Sequence, residues 1–188
     1  MHTDEGTGSG ARDGRPGHLP APFHDLREHT AWRLETRRGY ASDRQDLDFQ
    51  AFLATGSSPC DPDEPWFLNI KTQTDAGKTV GRVRLTDNPP TTEQRFLLDY
   101  VRHNAAVGED IRYLWREDAD QAVLPAEDFW IFDSRIVALL HFDDEDALLD
   151  IELITEPAQV VRYAIVRDAA MHHAIPYDGF AVQVAATG

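Results

Sequence analysis

The stretch between positions 128 and 157 constrains the fold of this chain more than any other part of its sequence. Two segments, 129–132 and 136–142, are apolar at successive positions, which is typical of strands covered on both faces. A third, 148–154, alternates apolar and acidic residues, and Pro157 then suits the first position of a helix. The stretch predicts a β-meander followed by a helix, with Trp130 and Phe132 in the core and with Leu149, Ile151 and Leu153 pointing inward.

Upstream of the meander, strand and helix patterns follow one another along the chain. The clearest helix is 91–107, because Thr91 and Gln94 have capping-box spacing and Gly108 suits a left-handed stop. The other predicted elements are strands at 32–37, 80–86 and 111–116 and helices at 46–54, 65–74 and 157–174. This order predicts an α/β fold in which helices cover a mixed β-sheet, with a C-terminal β-meander followed by a helix.

The length of 188 residues suits a single domain with a sizeable core. Residues 1–22 are rich in Gly, Asp, Arg and Pro without apolar periodicity, so we predict a disordered tail that is dispensable for folding. The domain is predicted at 23–178. Pro176 and Gly179 indicate that the last helix has ended there, so a C-terminal tail is predicted at 179–188.

A formal net charge of −15 limits the expected partners of this protein. Affinity for nucleic-acid phosphates comes from Lys and Arg side chains that release counterions, so direct nucleic-acid binding is disfavoured, as is an anionic membrane surface. A basic partner is compatible with this charge, although acidity alone only favours solubility. The lone Cys60 and the lack of an apolar leader or membrane-spanning run predict a cytoplasmic protein.

Three arginines on predicted strands form the first candidate ligand site. Arg82 and Arg84 alternate with apolar residues, so they share the polar side of their strand. Arg112 and Tyr40 are expected to reach the same side, where guanidinium groups would hold a carboxylate or a phosphate. The alternative is that ion pairs with three glutamates occupy these arginines: Glu35, Glu93 and Glu109.

Asp133, His141 and Asp143 lie on or beside neighbouring predicted strands and are the second candidate, as an acid/base pair in a cleft, with Asp133 and His141 also as ligand contacts. We favour a turn aspartate and a histidine at the edge of the core, since no nucleophile or oxyanion signature accompanies them. The other acidic and histidine clusters, 143–146 and 168–178, do not have the ligand spacing of a dedicated metal site. We therefore predict no catalytic residue, no metal site and no cofactor.

Several short motifs are spread over positions 23–177. They are Trp32-Arg33-Leu34-Glu35, Arg82-Val83-Arg84, Gly108-Glu109-Asp110-Ile111, Phe129-Trp130-Ile131-Phe132-Asp133 and His141-Phe142-Asp143. In these motifs the chain resembles an uncharacterised domain-of-unknown-function family of high-GC Gram-positive bacteria of the actinobacterial, Streptomyces type. Members of that family are typically encoded beside helix-turn-helix regulators. The resemblance implies a regulatory neighbourhood and makes a helix-turn-helix regulator the expected protein partner.

The order of a strand, a helix, a strand and a hairpin is also similar to the phospholipase D-like fold, which occurs as a non-catalytic sensor module in bacterial regulators. Its enzymes need a His-x-Lys-x4-Asp motif. This chain has Phe129, Ile131 and Ile136 at the aligned positions, so the imidazole nucleophile and the phosphate-binding ammonium are missing. The resemblance therefore implies no phosphodiesterase activity.

Three functional hypotheses follow from the sequence. The first is a non-catalytic accessory protein of a transcriptional regulator, which binds a protein partner and, in one version, a small anionic ligand. The second is an enzyme of specialised metabolism with an unrecognised active site. The third is an acidic protein that mimics DNA on the basic surface of a regulator.

Overall fold

A computed structural model of the protein describes residues 28–187, so the tail predicted at 1–22 lies outside the described residues. Strands and helices follow one another much as the sequence pattern predicts. The strands are β1 (Thr30–Glu35), β2 (Thr79–Thr86), β3 (Asp110–Trp115), β4 (Asp128–Phe132), β5 (Ile136–Phe142), β6 (Leu148–Ile154) and β7 (Ile175–Pro176). The helices are α1 (Ala41–Arg44), α2 (Leu47–Thr55), α3 (Pro65–Asp75), α4 (Thr92–Ala106), α5 (Arg116–Gln121), α6 (Pro157–His173) and α7 (Tyr177–Thr187).

The seven strands form one mixed sheet with the order β6-β5-β4-β1-β2-β3-β7. β1, β2 and β3 are parallel, since helices lie between them in the chain and return it to the same end of the sheet. β4, β5 and β6 continue antiparallel on the other side of β1 and form the predicted meander. The predicted α/β fold, with a mixed sheet and a C-terminal meander followed by a helix, is confirmed.

Helices cover the middle of the sheet on both faces. α2, α3 and α4 pack on the face that carries Ala31 and Trp130, which we call the first face. α5 and α6 pack on the second face, which carries Leu34 and Val83. Trp130 and Phe132 are 1% and 0% exposed, which confirms that both are core residues.

Local signals in the sequence set the ends of α4 as predicted. The Thr91 hydroxyl accepts a hydrogen bond from the Gln94 backbone, and the Gln94 side chain accepts one from the Thr91 backbone, which together form the capping box. Gly108 follows the helix with a φ of +94°, a conformation that favours glycine. The chain then enters β3 directly.

The structure differs from the sequence-based expectation at both edges of the sheet. Residues 179–187 belong to α7 and not to a tail, because Phe180 is buried with its ring centroid 4.9 Å from that of Tyr113 and 4.3 Å from that of Trp115. At the opposite edge, Leu149 and Leu153 are 66% and 51% exposed. The expectation that these two leucines point into the core is wrong, because the helices of the first face leave β6 open.

Candidate functional site

The first face of the sheet buries an ionic network beneath α3 and α4. Its cations are Arg33 of β1 and Arg82 and Arg84 of β2, which are 3%, 1% and 6% exposed. The parallel register places Arg33 beside Arg82 and Glu35 beside Arg84, so alternation puts all four side chains on one face of adjacent strands. Two adjacent strands thus place charges where the covering helices exclude water.

Glu35 is the centre of this network, because it contacts all three arginines. Its Oε1 accepts a hydrogen bond from Arg82 Nη1 at 3.0 Å and lies 3.3 Å from Arg33 Nη1, and its Oε2 accepts one from Arg84 Nε. Burial alone would raise the pKa of Glu35, but the positive charges of Arg84, Arg33 and Arg82 hold that pKa well below its ordinary value. Glu35 is therefore ionised in the folded protein.

Two further carboxylates complete the charge balance. Glu109 accepts a hydrogen bond from Arg82 Nε at 2.7 Å. Asp128 accepts hydrogen bonds from the Tyr40 hydroxyl at 2.5 Å and from Arg33 Nη2 at 3.3 Å. Burial, together with the adjacent negative charge of Asp128, raises the pKa of Tyr40 well above its ordinary value, so the tyrosine stays neutral and donates. Three guanidinium groups thus face three carboxylates.

Asp43 of α1 lies beside this network as a fourth carboxyl group. It is 0% exposed, and its Oδ2 has no hydrogen-bond partner among residues 28–187. Burial raises the pKa of Asp43 to about 8, although Arg84 acts in the opposite direction. Asp43 is therefore mostly protonated at neutral pH, and the three-to-three charge balance of the network is kept.

The structure brings Arg82, Arg84 and Tyr40 together, as the sequence predicts, but groups of the protein itself occupy their polar atoms. Of the alternative ion-pair partners, Glu35 and Glu109 make the contacts. The cavity beside Arg84 measures about 10 Å³, and one water molecule needs roughly that volume. Ligand binding by these residues stays a prediction, and a metabolite would need a larger space than the one beside them.

The other predicted ligand residues lie apart. Arg112 points to the second face and contacts Asp110 at 3.0 Å, so the expectation that it shares a face with the other strand arginines is wrong. Asp133 accepts backbone hydrogen bonds from residues 28–30 at 2.6–2.9 Å; burial would raise its pKa, but these bonds hold it below the ordinary value. His141 lies near the other end of β5 from Asp133. Asp133 and His141 therefore do not form one site.

A more open site lies where the parallel strands β1, β2 and β3 end. A cleft of about 450 Å³ is found there, a volume typical of small-molecule sites. In open α/β sheets, ligands bind outside the carboxyl ends of the parallel strands. We call this site the strand-end cleft. Its lining combines apolar side chains with charged ones: Leu85, Ala119, Leu124, Pro125 and Ala126, and Arg37, Arg38, Arg116, Asp120 and Asp146.

Charged groups in and beside the strand-end cleft lie within three residues of the ends of the three parallel strands. Arg38 follows β1, Asp87 follows β2 and Arg116 follows β3. Arg38 donates two hydrogen bonds to the Asp87 carboxylate at 2.8 and 3.0 Å, and Arg116 Nε donates a third at 2.9 Å. Burial would raise the pKa of Asp87, but the hydrogen bonds from its neighbours, Arg38 first, lower it. Two guanidinium groups therefore share one carboxylate, which compensates only one of their positive charges.

Two of the remaining polar groups of the cleft make contacts within the protein. Arg37 contacts Asp146 at 2.6 Å. The Thr36 hydroxyl donates to the Ala126 carbonyl at 2.7 Å. Among the described residues that line the cleft there is no histidine, cysteine, lysine or serine. Sequence reasoning missed this site, and the one available signal was the presence of charged residues at or just after the ends of the strands predicted at 32–37, 80–86 and 111–116.

Two kinds of feature are absent from the described part of the chain. Within residues 28–187, no group of three or more His, Cys, Asp or Glu side chains is arranged to hold a metal ion. No helix in that range combines the length and the apolar character that a membrane crossing needs. Cys60 is exposed, and its pKa is raised, chiefly by partial desolvation.

The fold and the site define an α/β domain with a buried ionic network and an arginine-lined cleft at the ends of its parallel strands. Residues 21–182 match the model of a family described as a domain of unknown function, DUF6879. Because the match spans most of the chain, the protein belongs to that family, and the resemblance to an uncharacterised family is confirmed. No curated protein and no solved structure matches the chain, so the phospholipase D-like arrangement stays a prediction.

Proposed function

We propose that this protein is a non-catalytic accessory protein of a transcriptional regulator and that its strand-end cleft binds a small anionic ligand. The observation that carries the proposal is the pair of arginines, Arg38 and Arg116, that share Asp87 at the ends of three parallel strands. A carboxylate or phosphate group would supply the second negative charge that this pair does not have in Asp87 alone.

The accessibility of Arg38 supports this assignment. Its side chain is 64% exposed, whereas the side chain of Arg116 is 23% exposed and is also held by a hydrogen bond to the Thr36 carbonyl at 2.8 Å. Arg116 is thus a fixed charge at the base of the site, and Arg38, which is bonded to Asp87, is the guanidinium group that solvent and a ligand can reach. The planar guanidinium group binds a carboxylate or a phosphate with two parallel hydrogen bonds.

The regulatory part of the proposal rests on the motifs that resemble a family encoded beside helix-turn-helix regulators. The net charge of −15 suits a basic protein partner. The cleft lining described above favours binding over catalysis. No specific contact among residues 28–187 favours the enzyme or the DNA-mimic hypothesis, and both stay as alternatives.

Titration of the full-length protein with inorganic phosphate and with citrate, followed by calorimetry, tests the ligand. We expect binding that weakens at least tenfold in Arg38→Ala and in Arg116→Ala. The control is Arg135→Ala, because Arg135 is 70% exposed and lies in the turn between β4 and β5. Equal weakening in the control, or no binding by the unchanged protein at millimolar concentrations, would refute an anion site in the cleft.

The family resemblance predicts a helix-turn-helix regulator encoded beside this protein, and co-expression with that regulator tests the partner. We expect the two proteins to co-purify as one complex and to elute together in size-exclusion chromatography. Separate elution at micromolar concentrations, both with and without phosphate, would contradict the accessory role.

A further inference from the structure

The outer edge of β6 is an unpaired strand edge with an exposed apolar face. β6 pairs with β5 on one side, and no strand among residues 28–187 pairs with its other side. The register places Ile151 beside Leu140 and Leu153 beside Ala138, on the first face. Ile151 is half-buried and Leu153 is 51% exposed. Leu149 is 66% exposed but lies where the register shifts opposite His141 and Phe142, so it has no partner residue in β5. The sheet therefore ends in a strand whose apolar face is only partly covered.

The second face of the same strand is acidic. Asp150 and Glu152 alternate with the apolar residues and are exposed. Glu152 lies 3.5 Å from His141 Nε2. Further exposed acids lie close to both ends of β6: Asp144, Glu145 and Glu156. A strand that pairs with this edge would therefore meet apolar side chains on one face and carboxylates on the other.

This charge pattern argues against a second copy of the chain as the natural occupant of the edge. Two copies could pair antiparallel through their β6 strands, related by a two-fold axis, with the apolar side chains of both strands on the same face. If the two-fold axis passes through Asp150, Ile151 or Glu152, an acidic residue of one copy lies opposite an acidic residue of the other. Like charges directly opposite each other destabilise an antiparallel pair. Inward or exposed charges of this kind are a common protection of edge strands against self-association.

We propose that the outer edge of β6 docks an extended segment of a protein partner in which Lys or Arg alternates with apolar residues. The segment adds an eighth strand, so main-chain hydrogen bonds supply affinity and the alternating side chains supply specificity. Its apolar residues cover Ile151 and Leu153, and its cations face Asp150 and Glu152. The inference deepens the proposed function, since it names the surface and the chemistry of the protein partner.

Fluorescence anisotropy with labelled seven-residue peptides, matched to the seven residues of β6, tests this docking on the full-length protein. One peptide alternates Val and Lys, and the other alternates Val and Glu. We expect the Val/Lys peptide to bind at least tenfold more tightly. Asp150→Lys combined with Glu152→Lys should reverse the preference. The milder pair Asp150→Asn with Glu152→Gln, which keeps the side-chain shapes, should weaken Val/Lys binding several-fold.

The control carries the same change in charge on α5: Glu117→Lys combined with Asp118→Lys, both at exposed positions. Equal loss of Val/Lys binding in the control would overturn the proposal, because attraction to the whole acidic protein would then explain it. Hydrogen exchange supplies a second readout, and we expect the β6 amides that do not bond to β5 to gain protection only when the peptide is present. Protection of these outward-facing amides without peptide would also overturn the proposal, since residues 1–27 or a second copy would then occupy the edge.

The result of the peptide experiment can be interpreted separately from the result of the phosphate titration. Arg38→Ala should leave peptide binding unchanged, and the β6 variants should leave phosphate binding unchanged. A failure of phosphate binding with retained peptide binding would refute the ligand in the cleft and leave the docking edge in place.

Discussion

The buried network and the strand-end cleft use the same residue types in opposite ways. In the network, three arginines meet three carboxylates under helices, and each of these arginines is less than one-tenth exposed. In the cleft, Arg38 and Arg116 share one carboxylate, and the Arg38 side chain is 64% exposed. The comparison shows that helix cover decides the role of an arginine on this sheet. Where α3 and α4 cover the strands, arginines hold the fold together; where the strands end, arginines face solvent.

The largest expected effect is that of Arg84→Ala in the network. The substitution leaves Glu35 buried with less compensation and removes hydrogen bonds to the Leu97 carbonyl and the Tyr113 hydroxyl. Breaking a buried ion pair from one side costs about 3–5 kcal/mol, so urea unfolding should show a loss of that size. Arg112→Ala is the control, because its side chain is 31% exposed and contacts Asp110 on the second face. A loss no larger than that of the control would mean that Arg84 does not stabilise the fold.

An effect of comparable size, but dependent on pH, is expected for Asp43→Asn. The pKa of Asp43 is about 8 in the folded protein, and an aspartate in an unfolded chain has a pKa of about 3.9. Between these values the folded state keeps a proton that the unfolded state releases, so this group lowers stability as pH rises from about 4 to about 8. Asparagine does not titrate, so the stability of Asp43→Asn relative to the unchanged protein should increase from pH 5 to pH 8. If the melting temperatures of the variant and of the unchanged protein followed the same dependence on pH, Asp43 would be ionised in the folded protein and the prediction would be wrong.

The smallest expected effect on stability is that of Arg38→Ala in the cleft. An exposed ion pair is worth about 0–1 kcal/mol, so the free energy of unfolding should change by less than about 1 kcal/mol. The same variant is expected to lose phosphate affinity, as described above. A loss of several kcal/mol would place Arg38 with the structural arginines and remove the contrast between the two regions.

Much of the fold could be predicted because local patterns determine it. The two covered strands of the meander and the capping box at Thr91 and Gln94 depend on neighbouring residues only. α7 was missed because Phe180 is buried against rings of a distant strand. Leu149 and Leu153 follow the alternation of a half-buried strand, but alternation does not tell whether a helix covers that face.

For the candidate sites too, local patterns could be predicted, whereas contacts between distant residues could not. The alternation of polar and apolar residues placed Arg82 and Arg84 on one face of the sheet. It did not show that Glu35, at the end of the neighbouring strand β1, and Glu109, just before β3, would contact them. The face of Arg112 depends on the register between β2 and β3, which no local pattern gives. The cleft combines the ends of strands that are far apart in the chain, so it became visible only once the strand order was known.

The central position of β1 has a consequence for how the protein emerges from the ribosome. β1 is the first described strand, but its neighbour β4 and the Asp128 carboxylate that accepts a hydrogen bond from Arg33 come 95 residues later. Domains fold as units once their parts have been synthesised, and long-range strand pairing is slow. A nascent chain that ends before β4 leaves β1 with an open edge and leaves Arg33 without its Asp128 partner, although Glu35 of the same strand is already present. The sheet therefore completes its strand pairing only after β4 has been synthesised, although β1, β2 and β3 precede it in the chain.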